Sequence, residues 1–154
     1  MAATHLTGPL LTGDLQQGET NGPNQGFVQL VQSTTITQNS TNAVSSTIYI
    51  PAGSLILDFK IDVLTAFNSA TSATLTIGTA AGGTQYVGSI NAKTAGRAAI
   101  TFTAAQLAAM SNQSVLGVAA PTTAPVVVTV TPVGATSAGY VNVSVLYAQL
   151  TSSN

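Results

Sequence analysis

The stretch that decides the fold is SLILDFKIDVL, residues 54–64, in which polar and apolar side chains alternate. It carries three of the few charged side chains in the chain, which has 3 Lys and Arg and 4 Asp and Glu in total. Successive side chains of a β-strand point to opposite faces. The stretch therefore predicts a two-faced strand. Its core-facing residues are Leu55, Leu57, Phe59, Ile61 and Val63, and its solvent-facing residues are Ile56, Asp58, Lys60 and Asp62.

The spacing of the two aspartates excludes several kinds of chemistry. Asp58 and Asp62 are four residues apart, which is roughly 13 Å along a strand. Oxygen ligands lie about 2.3–2.6 Å from a bound calcium ion, and paired catalytic carboxylates are about 5–9.5 Å apart. We therefore interpret the row as a solvated face on which Lys60 forms a weak ion pair. A polar contact row for a partner protein is the alternative.

Charge is scarce throughout the chain. Charged residues make up 5% of the 154 residues, against roughly 25% in ordinary soluble domains, and the formal net charge is −1. Hydrophobic residues make up 45%, which excludes an intrinsically disordered chain. No run reaches the roughly 18 apolar residues of a membrane-spanning helix. The composition therefore predicts a folded domain that associates with neighbours, because little charge keeps the copies apart.

The residue inventory predicts no enzyme activity. The chain has no Cys and a single histidine, His5, which lies in a segment rich in Gly and Pro rather than on a rigid scaffold. Cysteine nucleophiles, disulfides and thiolate zinc sites are excluded. Three cationic side chains are too few for a nucleic-acid footprint. We therefore predict no cofactor, no metal, no nucleic-acid partner and no membrane partner.

Residues 1–26 differ from the rest of the chain. Gly or Pro recurs every few residues, which is incompatible with a helix or a central strand. A frayed tail is one interpretation. The other is an extended arm, reaching roughly 80 Å, that lies across a neighbouring subunit. The candidate contact residues in this arm are Leu6, Leu10, Leu11, Asp14, Leu15 and Glu19.

Residues 27–154 read as one domain of strands and turns. In FVQLVQSTTITQ, residues 27–38, the alternation changes phase near Val31, which predicts a bulge or a bend. TAAQLAAM, residues 103–110, is a helix pattern in which Thr103 and Gln106 have the spacing of a capping box. Eight or nine strands with one short helix predict an all-β, jelly-roll-like β-sandwich. The other strand candidates are AVSSTIYI, SATLTIG, TQYVGSI, RAAITF, SVLGVA, PVVVTVTP and GYVNVSVLYAQL.

The segment NAKTAGR places Lys93 and Arg97 in one turn. A solvated loop is the simpler interpretation. The alternative is a basic spot that docks on an acidic partner, and Asp14 and Glu19 in a neighbour's arm are candidates for that partner. Both interpretations are open at this point.

Four stretches resemble the decoration, or cement, proteins of tailed-bacteriophage heads. They are YIPAGSLILDFKIDVLTAFNSATSATLTIGT at 49–79, INAKTAGR at 90–97, FTAAQLAAM at 102–110 and GYVNVSVLYAQL at 139–150. The resemblance implies a homotrimer of β-sandwiches on the outer capsid surface of a virion, made in the host cytoplasm, that braces the major capsid protein. The alternative is a receptor- or carbohydrate-binding sandwich of a fibre, spike or adhesin. Such a domain should carry aromatic platforms on loops, whereas the four tyrosines fall mostly in predicted strands.

Overall fold

The computed structural model describes residues 27–38, 40–51, 54–111 and 124–150. This part of the chain forms eight β-strands and one short helix. In chain order they are β1 (Phe27–Thr37), β2 (Val44–Ile50), β3 (Leu55–Thr65), β4 (Ser72–Gly78), β5 (Val87–Asn91), β6 (Gly96–Arg97), α1 (Ala104–Ser111), β7 (Ala124–Val133) and β8 (Tyr140–Leu150).

The strands form two four-stranded antiparallel sheets. Sheet A has the order β1-β8-β3-β6, and sheet B has the order β2-β7-β4-β5. Strand β1 pairs with β8, β2 with β7, β3 with β6 and β4 with β5, all antiparallel. This nested pairing is a long hairpin rolled up on itself, which is the topology of an eight-stranded jelly roll. The predicted all-β sandwich with one short helix is confirmed.

The core lies between the two sheets and is built from alternate residues of each strand. The central strands β7 and β8 contribute Val126, Val128 and Val130 from one side and Val141, Val143 and Val145 from the other, all fully buried. Phe59 of β3 stacks on Tyr86, with ring centroids 5.9 Å apart. Burial of aliphatic side chains at about 1.5–3 kcal/mol each is the main force that holds the sheets together.

The predicted faces of β3 are correct only in its second half. Phe59, Ile61 and Val63 are buried as expected, but Ile56 is buried instead of Leu55 and Leu57. The register against β8 shifts between Ile56 and Asp58, so Leu57 is an extra residue without a partner. A bulge of one residue reverses the faces on either side of it. The prediction failed because one unbroken alternation was assumed through the bulge.

Of the bulge or bend predicted near Val31 in β1, the bulge is wrong. Strand β1 pairs with β8 residue by residue from Phe27 to Thr37 with no shift of register. Val31 lies on the outer face and is 60% exposed. The inward positions near it hold Gln32 and Thr34, whose polar groups bond the Tyr147 hydroxyl and the Ser46 hydroxyl. Polar residues with hydrogen-bond partners can occupy inward positions at the rim of a core.

The predicted helix is confirmed as α1, with Thr103 as its N-terminal cap. The Thr103 N–H donates to Gln106 Oε1 over 2.9 Å, and the Gln106 N–H donates to Thr103 Oγ1 over 3.2 Å. These two reciprocal bonds form the predicted capping box. The predicted strand RAAITF is wrong except at its first residue, because β6 ends at Arg97 and the chain continues irregularly to α1. The arm at 1–26 and the strand predicted at 114–119 lie outside the described residues.

One end of the sandwich is closed by tightly packed loops. Asn68, after β3, accepts the N–H groups of Ser137 and Ala138 over 2.9 and 3.0 Å. The adjacent Phe67 is buried and lies against Gly139, directly before β8. A Cβ at position 139 would lie 2.6 Å from Phe67 Cε1 and closer to other ring atoms, so only glycine leaves room for the ring.

We expect Gly139→Ala to destabilise the fold by about 1–3 kcal/mol, the usual cost of overpacking a close-packed core. Gly88→Ala is the matched control, because a Cβ there has only the Gln106 amide nitrogen within 4 Å, at 3.6 Å. Urea unfolding of both variants measures the difference. Equal stability of the two variants would contradict the close approach of Gly139 to Phe67.

Candidate functional site

The outer face of sheet A carries a compact group of charges. Lys60 is paired in register with Ser144 of β8, and Asp62 lies between Asn142 of β8 and Arg97 of β6. Asp58 lies one outward position further along β3. This charged row contains both acidic residues of the described part of the chain. The charged members of the predicted solvent-facing row are therefore on one face, without the buried Ile56, and Arg97 joins them from a neighbouring strand.

Asp62 and Arg97 form a bidentate ion pair across β3 and β6. Arg97 Nε and Nη2 donate to the two carboxylate oxygens of Asp62 over 2.8 and 3.1 Å. The pair is solvent-accessible, with side chains 27% exposed for Asp62 and 64% for Arg97. The hydrogen bond from Arg97 lowers the pKa of the Asp62 carboxyl below its ordinary value, and the same bond raises the pKa of Arg97. A fork-to-fork pair of this kind fixes orientation more than it adds stability at a surface.

The other charged side chains contact the chain itself or lack the expected ion pair. Within the described residues Lys60 forms no salt bridge, so the expected ion pair of Lys60 is replaced by that of Arg97. Asp58 Oδ1 accepts the N–H of Phe59 over 2.8 Å. Lys93 Nζ donates to the carbonyl oxygens of Ala70 and Thr71 over 3.5 and 3.3 Å. A partner that docks on Lys93 and Arg97 would therefore compete with contacts inside the chain.

The predicted contact residues of the arm lie outside the described residues, as does His5. Among the residues that the structure describes, no three His, Cys, Asp or Glu side chains are grouped in a way that could hold a metal ion. No helix in the described ranges is long and apolar enough to cross a membrane.

The outer face of sheet B carries hydroxyl groups instead of charges. We name this surface the hydroxyl face, and its members are Ser45, Thr47, Ser72, Thr74, Thr76, Thr129 and Thr131. The loop between β4 and β5 covers part of it: the Gly82 N–H donates to Thr129 Oγ1 over 2.8 Å, and Gly82 adopts a positive φ of 73°. Ser45 bonds the same Thr129 hydroxyl over 2.9 Å.

A shallow pocket of about 340 Å³ lies on the hydroxyl face beside β5. Most of its lining residues are of polar type, and Lys93 is one of them. The lining residues are Thr71, Ser72, Ala73, Thr74, Ser89, Asn91 and Lys93. Hydroxyls, an amide and one ammonium group are hydrogen-bonding groups that suit a polar ligand.

The free side of β1 is the third surface, and we name it the β1 edge. Strand β1 pairs with β8 on one side, and no described strand pairs with it on the other. Its 11 residues include no charged residue and no proline. Leu30 and Val31 at this edge are 39% and 60% exposed. Sequence reasoning missed this surface, although the absence of charge over residues 27–37 was a visible signal.

Comparison with known proteins found no match for this chain. No family model, no curated protein and no solved structure matches it.

We expect Arg97→Gln to raise the pKa of Asp62 toward the ordinary value of 3.8, because the largest cause of its lowering is the bond from Arg97. A lowered carboxyl pKa contributes stability that is present above the ordinary value and lost as pH falls through the lowered one. The stability of the variant should therefore no longer show the decrease below pH 3.8 that Asp62 causes in the unmodified protein. Carboxyl-carbon NMR titration measures this pKa directly. Lys60→Gln is the control and should raise it less, and an equal rise would contradict the assignment.

Proposed function

We propose that this protein is a structural virion protein, a decoration or cement protein that binds the outer surface of a tailed-phage capsid as a homotrimer. The observation that carries the proposal is the hydroxyl face, which belongs to a sheet whose four strands contain no charged residue, on a chain that is itself nearly uncharged. The resemblance to phage-head decoration proteins is the second support. The jelly-roll topology is compatible with it, because viral capsid and lectin domains share that topology, but a fold does not by itself identify a function.

The two sheets differ in what it costs to cover them. Neutral hydroxyls lose less on leaving water than charged groups do, and they keep hydrogen-bonding capacity for a partner. Covering sheet A would desolvate Asp58, Lys60 and the Asp62–Arg97 pair. We therefore orient the subunit with the hydroxyl face toward the major capsid protein and the charged row toward solvent.

A trimer would make weak contacts effective. Linking several binding modules raises avidity by about 10²–10⁴ without any new contact. The arm at 1–26 would add area if it orders on a neighbour, at a cost of about 1–2 kcal/mol per residue in backbone entropy. Burial of its leucines, at about 1.5–3 kcal/mol each, offsets part of this cost. The proposal predicts a free particle whose mass is a multiple of three chains of 15.4 kDa.

We expect Thr131→Lys, on the hydroxyl face, to weaken binding to capsids that lack the protein by about tenfold or more, because an added charge must be desolvated in the contact. Thr65→Lys is the matched control, since it makes the same change at an exposed threonine of sheet A. Co-sedimentation of each variant with capsids of the encoding phage measures binding. Loss of binding in the control alone would reverse the proposed orientation, and no binding by the unmodified protein would refute the function.

Deletion of residues 2–26 tests the arm separately. If the arm lies across a neighbouring subunit, the shortened chain should bind the same capsids at least about tenfold more weakly, because the apolar contacts of the arm are lost. Circular dichroism of the shortened chain checks that the sandwich still folds. Unchanged binding would contradict a role for the arm as a clamp, while leaving the hydroxyl face as the contact.

The second candidate is a receptor- or carbohydrate-binding domain. Two observations favour it: the polar pocket of about 340 Å³ and Tyr49, which is 63% exposed on sheet B. An exposed aromatic ring and a pocket with hydroxyl groups can each recognise sugars. They would be two separate sites, because Tyr49 lies on β2 and the pocket beside β5, at opposite edges of sheet B. Specific hits on a glycan array, lost in Tyr49→Ala or Asn91→Ala, would favour this function over capsid decoration.

A further inference from the structure

We propose that the β1 edge pairs with the same strand of a second copy of this chain. The two strands run antiparallel about a two-fold axis at Gln32 and join two copies of sheet A into one continuous sheet. This contact is independent of capsid binding, because it uses β1 and leaves the hydroxyl face free.

The four edge strands of the sandwich are not equally protected against such pairing. Natural proteins protect sheet edges by short strands, bulges, prolines and charged side chains. Strand β6 has 2 residues and carries Arg97, β5 has 5 residues and a register shift against β4, and β2 has 7 residues and is followed by Pro51. Strand β1 has 11 residues and none of these features. It is the least protected edge of the described structure.

The hydrogen bonds to β8 determine which backbone groups β1 offers. The Gln38 N–H donates to the Gly139 carbonyl over 2.9 Å, in register with the β1–β8 ladder. Hydrogen-bonded pairs alternate along an antiparallel ladder. Even-numbered residues of β1 therefore bond β8, and odd-numbered residues direct their N–H and C=O groups to the free side. The residues that offer these groups include Gln29, Val31, Ser33 and Thr35.

Strand β1 is already ordered by its pairing with β8. The register against β8 is unbroken over the whole strand. Gln32 bonds the Tyr147 hydroxyl over 3.0 Å, and Ser33 bonds the Ser144 hydroxyl over 2.8 Å. A preorganised strand loses little conformational entropy when a further strand is added, so more of the interaction free energy remains as affinity.

A second copy fits this edge for three reasons. The strand carries no charge, so pairing it with itself brings no like charges together. The bonding pattern requires odd-numbered residues to face odd-numbered residues, and a two-fold axis at Gln32, the middle of Phe27–Thr37, satisfies this with all 11 residues overlapping. In that register Val31 lies opposite Ser33 of the second copy, and the exposed Leu30 and Val31 come into contact with the added strand. The full overlap provides roughly a dozen backbone hydrogen bonds.

The absence of cysteine from the chain makes a direct test possible. Val31→Cys and Ser33→Cys proteins, one carrying a mass tag, are mixed under a mild oxidant. The predicted pair has a Cα–Cα distance of about 5.5 Å, which is within the range of a disulfide. We expect the mixed disulfide to form at least about tenfold faster than in the control mixture, because pairing holds the thiols at a high effective concentration. The control is Ser89→Cys with Asn91→Cys, exposed on β5 at the opposite edge with the same spacing.

If the mixed disulfide forms no faster than in the control mixture, the proposal is overturned. It is also overturned if the Val31→Cys protein alone links as fast as the mixture, because a two-fold axis at Gln32 does not place the two copies of residue 31 opposite each other. Coverage of the β1 edge by residues 1–26 or by another protein would also leave the mixture unlinked.

Particle mass is the second measurement. Because the β1 contact would join two of the proposed trimers, the unmodified protein should contain an even multiple of three 15.4-kDa chains, and Val31→Lys should halve that number, whereas Thr131→Lys should not. An odd number of chains in the particle of the unmodified protein would refute the β1 contact. The proposed capsid binding is tested separately, by co-sedimentation.

Discussion

The burial of the two central strands, β7 and β8, in one core is the constraint on which the rest of the structure depends. Each of these strands is central in its sheet and contributes a row of fully buried valines to the core between the sheets. Sheet A is complete only when β8, the last described strand, has inserted between β1 and β3, which come much earlier in the sequence. Most of the pairings that stabilise the protein therefore join distant parts of the sequence, and topologies of this kind fold slowly.

Because the core is supplied by the inward residues, the outer faces are free to differ. The outer face of sheet A carries Asp58, Lys60 and the Asp62–Arg97 pair, whereas that of sheet B carries serine and threonine. The proposed capsid contact uses the face that costs less to desolvate. The proposed self-pairing uses neither face but the β1 edge between them, so one small domain offers two separate surfaces to an assembly.

Sequence reasoning succeeded where the physics is local. The capping box of α1 depends on Thr103 and Gln106, which are three residues apart, and it is present. The alternation in the second half of β3 correctly predicted Phe59, Ile61 and Val63 as buried. It failed at Leu57 and Val31, in opposite senses: a bulge was missed in β3 and one was wrongly expected in β1. A bulge is a property of two paired strands, and an apolar residue in one strand does not reveal what its neighbour requires.

The class of fold, the approximate strands, the single helix and the low charge follow from the amino-acid order alone, because alternation, propensity and capping act over a few residues. The bidentate bond of Arg97 to Asp62, 35 residues away, follows only from the antiparallel pairing of β3 with β6. The exposure of β1 as an unprotected edge likewise depends on its having β8 as its single described neighbour. Register and strand order are determined by pairing between distant strands. The free energy of that pairing depends on which side chains of both strands become buried, and one strand's sequence does not contain that information.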